Sequence, residues 1–284
     1  MDVTFYGVRG STPCSCDENR RYGGNTSCVV LRSPGADPIL LDLGTGLRFF
    51  GLDQRPGETM RAHALVTHLH WDHVQGLPFC PPLLSPGAEL TIYGPADGTR
   101  SFGEAFDQLM APPFFPVRAH ELSGDIVFVT LPAGTHQIAG ASVTAALVPH
   151  TGETFGYRIE RDGVVVVYVS DHQQPVDDPD HIAPGVLSLC EGADLLIHDA
   201  QYTPEEFVLR SHWGHCTVDY AVHVAAEAGV RSLALFHHDP GHDDESVDYM
   251  VLGAAERARQ RGVPKVFAAS EGLTVSVERA AVGA

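Results

Sequence analysis

The sequence predicts an α/β domain in which helices cover packed β-sheets. Short β-rich segments punctuated by glycine and proline recur from residue 3 to residue 278. Several of them are almost continuously apolar, which is typical of strands buried on both faces. Two longer segments instead carry apolar residues at helical spacing. Strands with interspersed helices favour sheets and helices packed in layers.

The predicted strands begin with VTFYGV and end with LTVSVE. They cover residues 3–8, 27–32, 38–44, 62–68, 89–94, 125–131, 141–150, 155–160, 164–171, 194–199, 232–238, 265–270 and 273–278. The sequence contains no internal repeat and no long linker. We therefore expect a single domain over residues 1–284.

One clear helix follows Thr217, which can act as its N-cap, and ends at Gly229. Its segment VDYAVHVAAEAG places four small or apolar residues on one face: Val218, Ala221, Val222 and Ala225. This pattern predicts a helix packed against a sheet by that face.

A second clear helix runs from Asp243 to near Gly262. Apolar side chains recur along it at i, i+3 and i+4 spacing: Val247, Met250, Val251, Ala254, Ala255 and Ala258. Three arginines lie near its C-terminus, where their positive charge interacts favourably with the negative end of the helix dipole. Two further helices are expected, one starting at Asp72 and one around residues 101–111.

The charge balance excludes some classes of partner. The chain has 18 Lys and Arg residues against 36 Asp and Glu, a formal net charge of −18 with histidine neutral, and Lys265 is its single lysine. Proteins bind long nucleic acids mainly through Lys and Arg that neutralise phosphates. We therefore expect no long nucleic acid as partner, although bound metal ions could still hold a small anion.

Neither a membrane segment nor a secretion signal is evident. The sequence has no run of about 18 apolar residues, and MDVTFYGVRG lacks the pattern of a signal peptide. We expect no membrane association and a cytoplasmic location. The six scattered cysteines then favour reduced thiols. Cys14 and Cys16, together with Cys28, leave a small accessory metal site as an alternative.

The stretch THLHWDH contains four side chains that are common metal ligands, namely His68, His70, Asp72 and His73. A strand leading out through Thr67 would direct His68 and His70 to the same side. A helix starting at Asp72 would direct Asp72 and His73 elsewhere. Two adjacent ions resolve this geometry, and the ligand types suit zinc, with manganese or iron as options. The competing interpretation is a histidine-rich surface loop.

The motif HxHxDH after a buried strand resembles the signature of the metallo-β-lactamase superfamily. Further motifs of that family, before and after this one, occur in the family's order, and the resemblance covers residues 3–278. The resemblance implies a four-layer αββα sandwich with the site at one edge. It implies roles for the ends of four other segments: Asp42 buttresses the metal loop, His150 completes the first metal site, Asp171 bridges both ions, and His237 binds the second. His238 remains an alternative to His237.

Two further segments resemble the tRNA 3′-processing nuclease branch of that superfamily and its small phosphodiesterase relatives. They are WGHCT at 213–217, which contains His215, and LLIHDAQYT, which contains Asp199. The resemblance implies a dinuclear metal-dependent hydrolase in which a hydroxide bridging the two metals attacks phosphorus. His215, oriented by Asp199, would stabilise the oxyanion or protonate the leaving oxygen, and the catalytic set is His215, Asp199 and Asp72. Alternatively, His215 only caps the helix and packs.

The substrate predicted by this resemblance is a small phosphodiester such as a cyclic nucleotide. The tRNA nuclease has a long basic arm, whereas residues 101–125 here are short, apolar and nearly free of Lys and Arg. APPFFPV (111–117) would wall the pocket or form a dimer contact, or simply pack on its own domain. Arg9, Arg21 and Tyr22 are expected to contact substrate, with a structural ion pair as the alternative for Arg9.

Three other functions stay open at this level. The same metals could hydrolyse a lactone, thioester or other acyl substrate. The chain could also be a tRNA-processing nuclease, or a metal-bound sensor without turnover. Homodimers are common among relatives, so a second copy of the chain is a further partner to consider.

Overall fold

Two β-sheets form the centre of the molecule. The computed structural model describes residues 1–55 and 58–279. The first sheet contains β1 (Asp2–Gly7), β2 (Cys28–Arg32), β3 (Ile39–Leu41), β4 (Arg61–Leu65), β5 (Glu89–Gly94), β6 (Asp125–Thr130) and β14 (Thr274–Ser276). The second contains β7 (Gly134–Ile138), β8 (Ala141–Leu147), β9 (Phe155–Arg161), β10 (Val164–Val169), β11 (Leu195–Asp199), β12 (Ser232–Phe236) and β13 (Lys265–Ala268).

Both sheets are antiparallel at one end and parallel at the other. The strand orders are β14-β1-β2-β3-β4-β5-β6 and β13-β12-β11-β10-β9-β8-β7. Strands β3 to β6 are parallel, as are β10 to β13. Strand β8 points the same way as β10 because each is antiparallel to β9. The carboxyl ends of β8, β10, β11 and β12 therefore meet at one edge.

Seven α-helices are present in the described part of the chain. They are α1 (Leu47–Leu52), α2 (Trp71–Val74), α3 (Phe102–Leu109), α4 (Pro184–Cys190), α5 (Pro204–Arg210), α6 (Val218–Glu227) and α7 (Asp244–Gln260). None of these helices combines the length and the apolar character needed to cross a membrane.

Apolar side chains on both faces of the strands produce four layers. In β10, Val166 and Tyr168 belong to the core between the sheets, whereas Val167 and Val169 belong to the core under α4, α6 and α7. A third core lies between the first sheet and the helices α1 and α3. Alternate residues of one apolar strand thus fill different cores. The predicted αββα sandwich is confirmed.

All thirteen predicted strands are present with slightly different ends, but β7 was not predicted. Its sequence GTHQI is polar, and it lies at the sheet edge, where only β8 pairs with it. Ala139 and Gly140 join the two strands with positive φ values of 47° and 74°. This is the backbone of a two-residue hairpin, although Ala-Gly is a weaker sequence signal than Asn-Gly.

The helix predictions hold for α3, α6 and α7. Thr217 caps α6, and Asp243 caps α7. Ala255, predicted on the apolar face of α7, is exposed. Helix α2 begins at Trp71, one residue before the predicted start, and has a single turn. Helices α1, α4 and α5 were not predicted because each has only six or seven residues.

The predicted single domain spans 1–284, of which residues 56, 57 and 280–284 lie outside the described residues. The described residues share one core between two stacked sheets. What matters for function is the edge where the carboxyl ends of several strands converge, because ligands bind at such edges in open α/β sheets.

Candidate metal centre

The side chains predicted as metal ligands converge where strands of both sheets end. His68 and His70 follow β4, and α2 then carries Asp72 and His73. His150 follows β8, Asp171 follows β10, and His237 directly follows β12. Residues far apart in sequence thus form two groups that could hold a metal ion, His68, His70, His150 and Asp171 in one and Asp72, His73 and His237 in the other.

The first group surrounds one point with three imidazoles. His68 Nε2 lies 2.7 Å from His70 Nδ1, which lies 3.3 Å from His150 Nε2. Asp171 Oδ2 lies 3.9 Å from His68 Nε2 and 3.7 Å from His150 Nε2. Four atoms bound to one tetrahedral ion at about 2.0–2.1 Å lie about 3.3 Å from one another. The observed separations bracket that value.

The ligand atoms of the second group are separated by similar distances. His73 Nε2 lies 3.2 Å from Asp72 Oδ2 and 3.2 Å from Asp171 Oδ1. His237 Nε2 lies 3.1 Å from Asp72 Oδ2 and 3.5 Å from Asp171 Oδ1. Asp171 thus faces the first group with Oδ2 and the second with Oδ1, so one carboxylate can serve two ions.

The electrostatics of the cluster fit a bound cation. The carboxylates of Asp42, Asp72 and Asp171 are buried, and their ion-pair partners among the described residues are histidines alone. Buried anions need a compensating positive charge. His73 Nε2 and Asp171 Oδ1 are buried and lack a hydrogen-bond partner in the described structure, as expected of atoms reserved for a metal.

The pKa shifts of the three histidines in the first group agree with this assignment. Burial lowers the pKa of His68 well below its ordinary value, and it lowers the pKa values of His70 and His150. These rings are therefore neutral and have a lone pair to offer. Burial by itself would raise the pKa of Asp171, but His237 and His73 hold it well below the usual range. Asp171 is thus ionised.

Asp42, predicted from its motif to buttress the metal loop, contacts that loop directly. It has a positive φ of 60°, which is unusual for a residue other than glycine. Its Oδ1 accepts a hydrogen bond of 2.8 Å from the Thr67 backbone N–H. Its Oδ2 lies 2.7 Å from His73 Nδ1 and accepts a hydrogen bond from the Tyr168 hydroxyl. One carboxylate therefore orients His73 and ties β4 to β10 of the other sheet.

Gln201 holds His237, and sequence reasoning missed it. The Nδ1 atom of His237 lies 2.8 Å from the Gln201 side-chain oxygen. Since an amide oxygen only accepts, Nδ1 carries the proton and Nε2 is left free for a metal. Gly10 allows this approach, because a Cβ there would lie 2.4 Å from His237 Nδ1. QYT after β11 gave no sequence signal for this role.

His150 is held in the same manner by the backbone. Its Nδ1 donates a hydrogen bond of 2.7 Å to the carbonyl oxygen of Gly214. Gly214 has a positive φ of 96°, and a Cβ there would lie 2.4 Å from His150 Cε1. Only glycine fits this position. The glycine of WGHCT thus serves the metal cluster, while the histidine after it has another role.

His215 and Asp199 form a pair beside the second group. His215 Nδ1 lies 3.0 Å from Asp199 Oδ2, which also accepts a hydrogen bond from the His172 backbone. Asp199 Oδ1 accepts one from the Gln201 backbone. Burial favours a neutral ring, but the carboxylates of Asp199, Asp171 and Asp72 together raise the pKa of His215. His215 also lies near enough to Asp171 and His237 to share an ion with them, although Asp199 occupies its Nδ1.

The structure resolves the choice between the two adjacent histidines. His237 has a φ of 59° and faces the cluster. His238 faces away, with Nε2 3.0 Å from the Ala269 carbonyl oxygen and the ring against Tyr22. Burial lowers the pKa of His238 to about 3, so its ring is neutral. The alternative that His238 replaces His237 at the metal does not fit this geometry.

Arg9, Arg21 and Tyr22, predicted to contact substrate, have partners within the protein instead. Arg9 is fully buried and donates to the carbonyl oxygens of Gly23 and His242. Its partners are backbone groups, so the alternative of an ion pair does not hold either. Arg21 and Tyr22 both hydrogen-bond to Asp248 of α7. The structure therefore opposes substrate contact by Arg9 and ties the other two to a helix.

The cysteines take no part in the candidate metal groups of the described residues. All six are free thiols, and Cys28 is buried in the core under α1 and α3. Cys14 Sγ accepts a hydrogen bond from the Asn19 side chain. This arrangement does not support an accessory metal site formed by Cys14, Cys16 and Cys28.

An open cavity of ≈ 420 Å³ gives access to the cluster and exposes His70, Asp72, Asp171 and His215 at its wall. Segment 111–117 lies beside a neighbouring groove. Phe115 packs on the core of its own domain, whereas Phe114 is exposed. The segment therefore does not line the cavity at the metal cluster itself: Phe114 walls the neighbouring groove, and Phe115 fits the alternative that the segment packs on its own domain.

Comparisons with known proteins identify the family and agree with the fold. A family model described as a beta-lactamase superfamily domain matches residues 38–238. Ribonuclease Z of Natronomonas pharaonis is 28% identical over 285 residues, which cover 84% of this chain and 86% of that protein. The metallo-β-lactamase fold protein YhfI of Bacillus subtilis has a TM-score of 0.71 at 21% identity and covers 96% of this chain and 98% of its own. A diphosphatase from the PhnP family has a TM-score of 0.68 at 20% identity and covers 98% of both chains.

We predict that Gln201→Leu weakens metal binding. The substitution removes the acceptor that fixes the His237 tautomer, and loss of such a partner costs about 10–100-fold in metal affinity. Competition with a zinc chelator measures this affinity. Gln54→Leu, at the end of α1, is the matched control and should bind zinc like the unmodified protein. Equal affinity in both variants would contradict the role of Gln201.

Proposed function

This chain belongs to the beta-lactamase superfamily and is a metal-dependent hydrolase with the metallo-β-lactamase fold, and from that premise we propose that it is a dinuclear phosphodiesterase acting on small phosphodiesters such as cyclic nucleotides. The observation that carries the proposal is the His215–Asp199 pair beside the two ligand groups. A metal cluster alone would suit many hydrolytic reactions. The pair adds a proton donor at the cluster.

We assign two divalent ions to the cluster, one to each ligand group. The division of Asp171 between the groups supports two ions. Imidazole and carboxylate ligands suit zinc, with manganese or iron as options. When bound, two such ions lower the pKa of a coordinated water and neutralise charge on phosphoryl oxygens.

His215 would act on the leaving oxygen of the phosphodiester. Its Nδ1 donates to Asp199, so Nε2 is the atom that can meet a substrate. The Asp199 carboxylate at Nδ1 stabilises a protonated ring, the form that can donate from Nε2. His215 lines the open cavity together with Asp72 and Asp171. General acid catalysis of this kind contributes about 10²–10⁴-fold.

The charge distribution supports a small substrate. Between residues 95 and 150 the only Lys or Arg residues are Arg100 and Arg118, and each has an acidic partner, Asp97 and Asp107. With a net charge of −18, this gives little positive surface for a long polyanion.

Processing of tRNA is the second candidate function, because the relative from Natronomonas pharaonis is named ribonuclease Z.

A panel of substrates tests the proposal. We expect turnover of bis(p-nitrophenyl) phosphate and of 2′,3′- or 3′,5′-cyclic nucleotides, with weaker turnover of p-nitrophenyl acetate, a lactone and a thioester. Purified protein reconstituted with zinc is assayed against all of them and against a tRNA precursor. Faster turnover of the acyl substrates would assign acyl hydrolysis instead. Efficient cleavage of the precursor alone would assign the nuclease function.

We predict that His215→Ala loses about 10²–10⁴-fold in kcat on bis(p-nitrophenyl) phosphate while it retains its metal. Elemental analysis of the same sample separates a lost acid from a lost ligand, and thermal unfolding checks the fold. His223→Ala on α6, outside the cavity, is the matched control and should keep full activity. Unchanged turnover in His215→Ala would rule out the proposed role.

A further inference from the structure

We propose that a groove beside the metal centre, walled by Trp71 and Phe114, binds the nucleobase of a cyclic nucleotide substrate. The inference rests on the proposed function and assigns it a specificity site. The groove has a volume of ≈ 390 Å³. Its walls come from the metal loop, from the turn before α3, from α3 itself and from segment 111–117.

The groove adjoins the cavity over the metal cluster. Leu69 and Trp71 line both spaces. Trp71 lies between His70 of the first ligand group and Asp72 of the second. The backbone of Trp71 is therefore held next to both ligand groups. A phosphodiester held at the cluster would therefore have its sugar and base next to Trp71.

Both aromatic walls are open to solvent. The side chain of Trp71 is 69% exposed and that of Phe114 is 81% exposed. Leu109 of α3 also lines the groove and fills the space between these walls and the core. Exposed aromatic side chains that share one concave site are the usual platforms for stacking a base, and stacking does not depend on base identity.

Polar side chains in the lining of the groove favour a base over an apolar chain. Arg100 donates to Gln108 at 2.6 Å and pairs with Asp97. All three side chains line the groove. An acyl chain in this space would remove the exposed Arg100–Asp97 pair from water and give it no further hydrogen bond, which is costly. A nucleobase stacks through its faces and offers donors and acceptors at its edge.

The experiment compares two substrates that differ only in the base. One is 3′,5′-cyclic AMP, and the other is the same ribose cyclic phosphate with a methoxy group in place of adenine. If the base stacks in the groove, kcat/KM for cyclic AMP divided by kcat/KM for the base-free compound is larger than one. Trp71→Ala and Phe114→Ala should each reduce this ratio by about tenfold or more. Tyr249→Ala, an equally exposed aromatic on α7 outside both spaces, should leave it unchanged.

Trp71→Ala could lower activity by disturbing the two metal ligands beside it in the chain. Phe114→Ala controls for this effect, because Phe114 lies on a separate segment.

A second readout uses fluorescence. The chain has two tryptophans, so Trp213→Phe leaves Trp71 as the only one. Saturable quenching by 5′-AMP, stronger than that by ribose 5-phosphate, is the expected result.

The outcomes separate this proposal from the proposed function. Turnover of the base-free cyclic phosphate with an unchanged ratio in both groove variants would overturn the base site and leave the phosphodiesterase standing. Absence of turnover on every diester would overturn the proposed function and the base site with it. A larger effect of Trp71→Ala and Phe114→Ala on long-chain esters than on cyclic AMP would assign the groove to an acyl group and overturn the proposal.

Discussion

The buried carboxylate of Asp171 is the constraint on which the rest of the site depends. Its two oxygens face two sets of imidazole and carboxylate ligands, with separations of 3.2–3.9 Å. A carboxylate placed at the end of β10 and out of reach of water is unfavourable without positive charge nearby. Imidazole rings from four separate segments meet it there. Metal binding gives this concentration of buried charge a physical reason.

The sandwich supplies the precision that such a site needs. Strands of both sheets end at the same edge, so residues distant in sequence reach one point without long loops. Hydrogen bonds then fix the direction of each ring: Asp42 on His73, Gln201 on His237 and the Gly214 carbonyl on His150. The hydrogen bond from Tyr168 to Asp42 links the two sheets behind the cluster. The fold and the site therefore stabilise each other.

Much of the fold and the convergence of the ligands could be predicted from the sequence. Continuous apolar runs identified the strands, and HxHxDH with three later strand ends identified the residues that converge. The supporting contacts could not be predicted in this way. Gln201 and the Gly214 carbonyl act through three-dimensional proximity: both lie in segments that resemble family motifs, but those motifs indicated Asp199 and His215 rather than contacts that hold His237 and His150. Arg9 shows the converse error, since a charged residue in a glycine-rich loop was expected to face substrate but is buried on backbone carbonyls.

Crystals of the protein grown with zinc would test the dinuclear centre most directly, by anomalous diffraction at the zinc edge. We predict two peaks, one next to Asp171 Oδ2 among His68, His70 and His150, and one next to Asp171 Oδ1 among Asp72, His73 and His237. A single peak would contradict the dinuclear centre, and two peaks of which either lacks Asp171 as a ligand would contradict the shared role of Asp171.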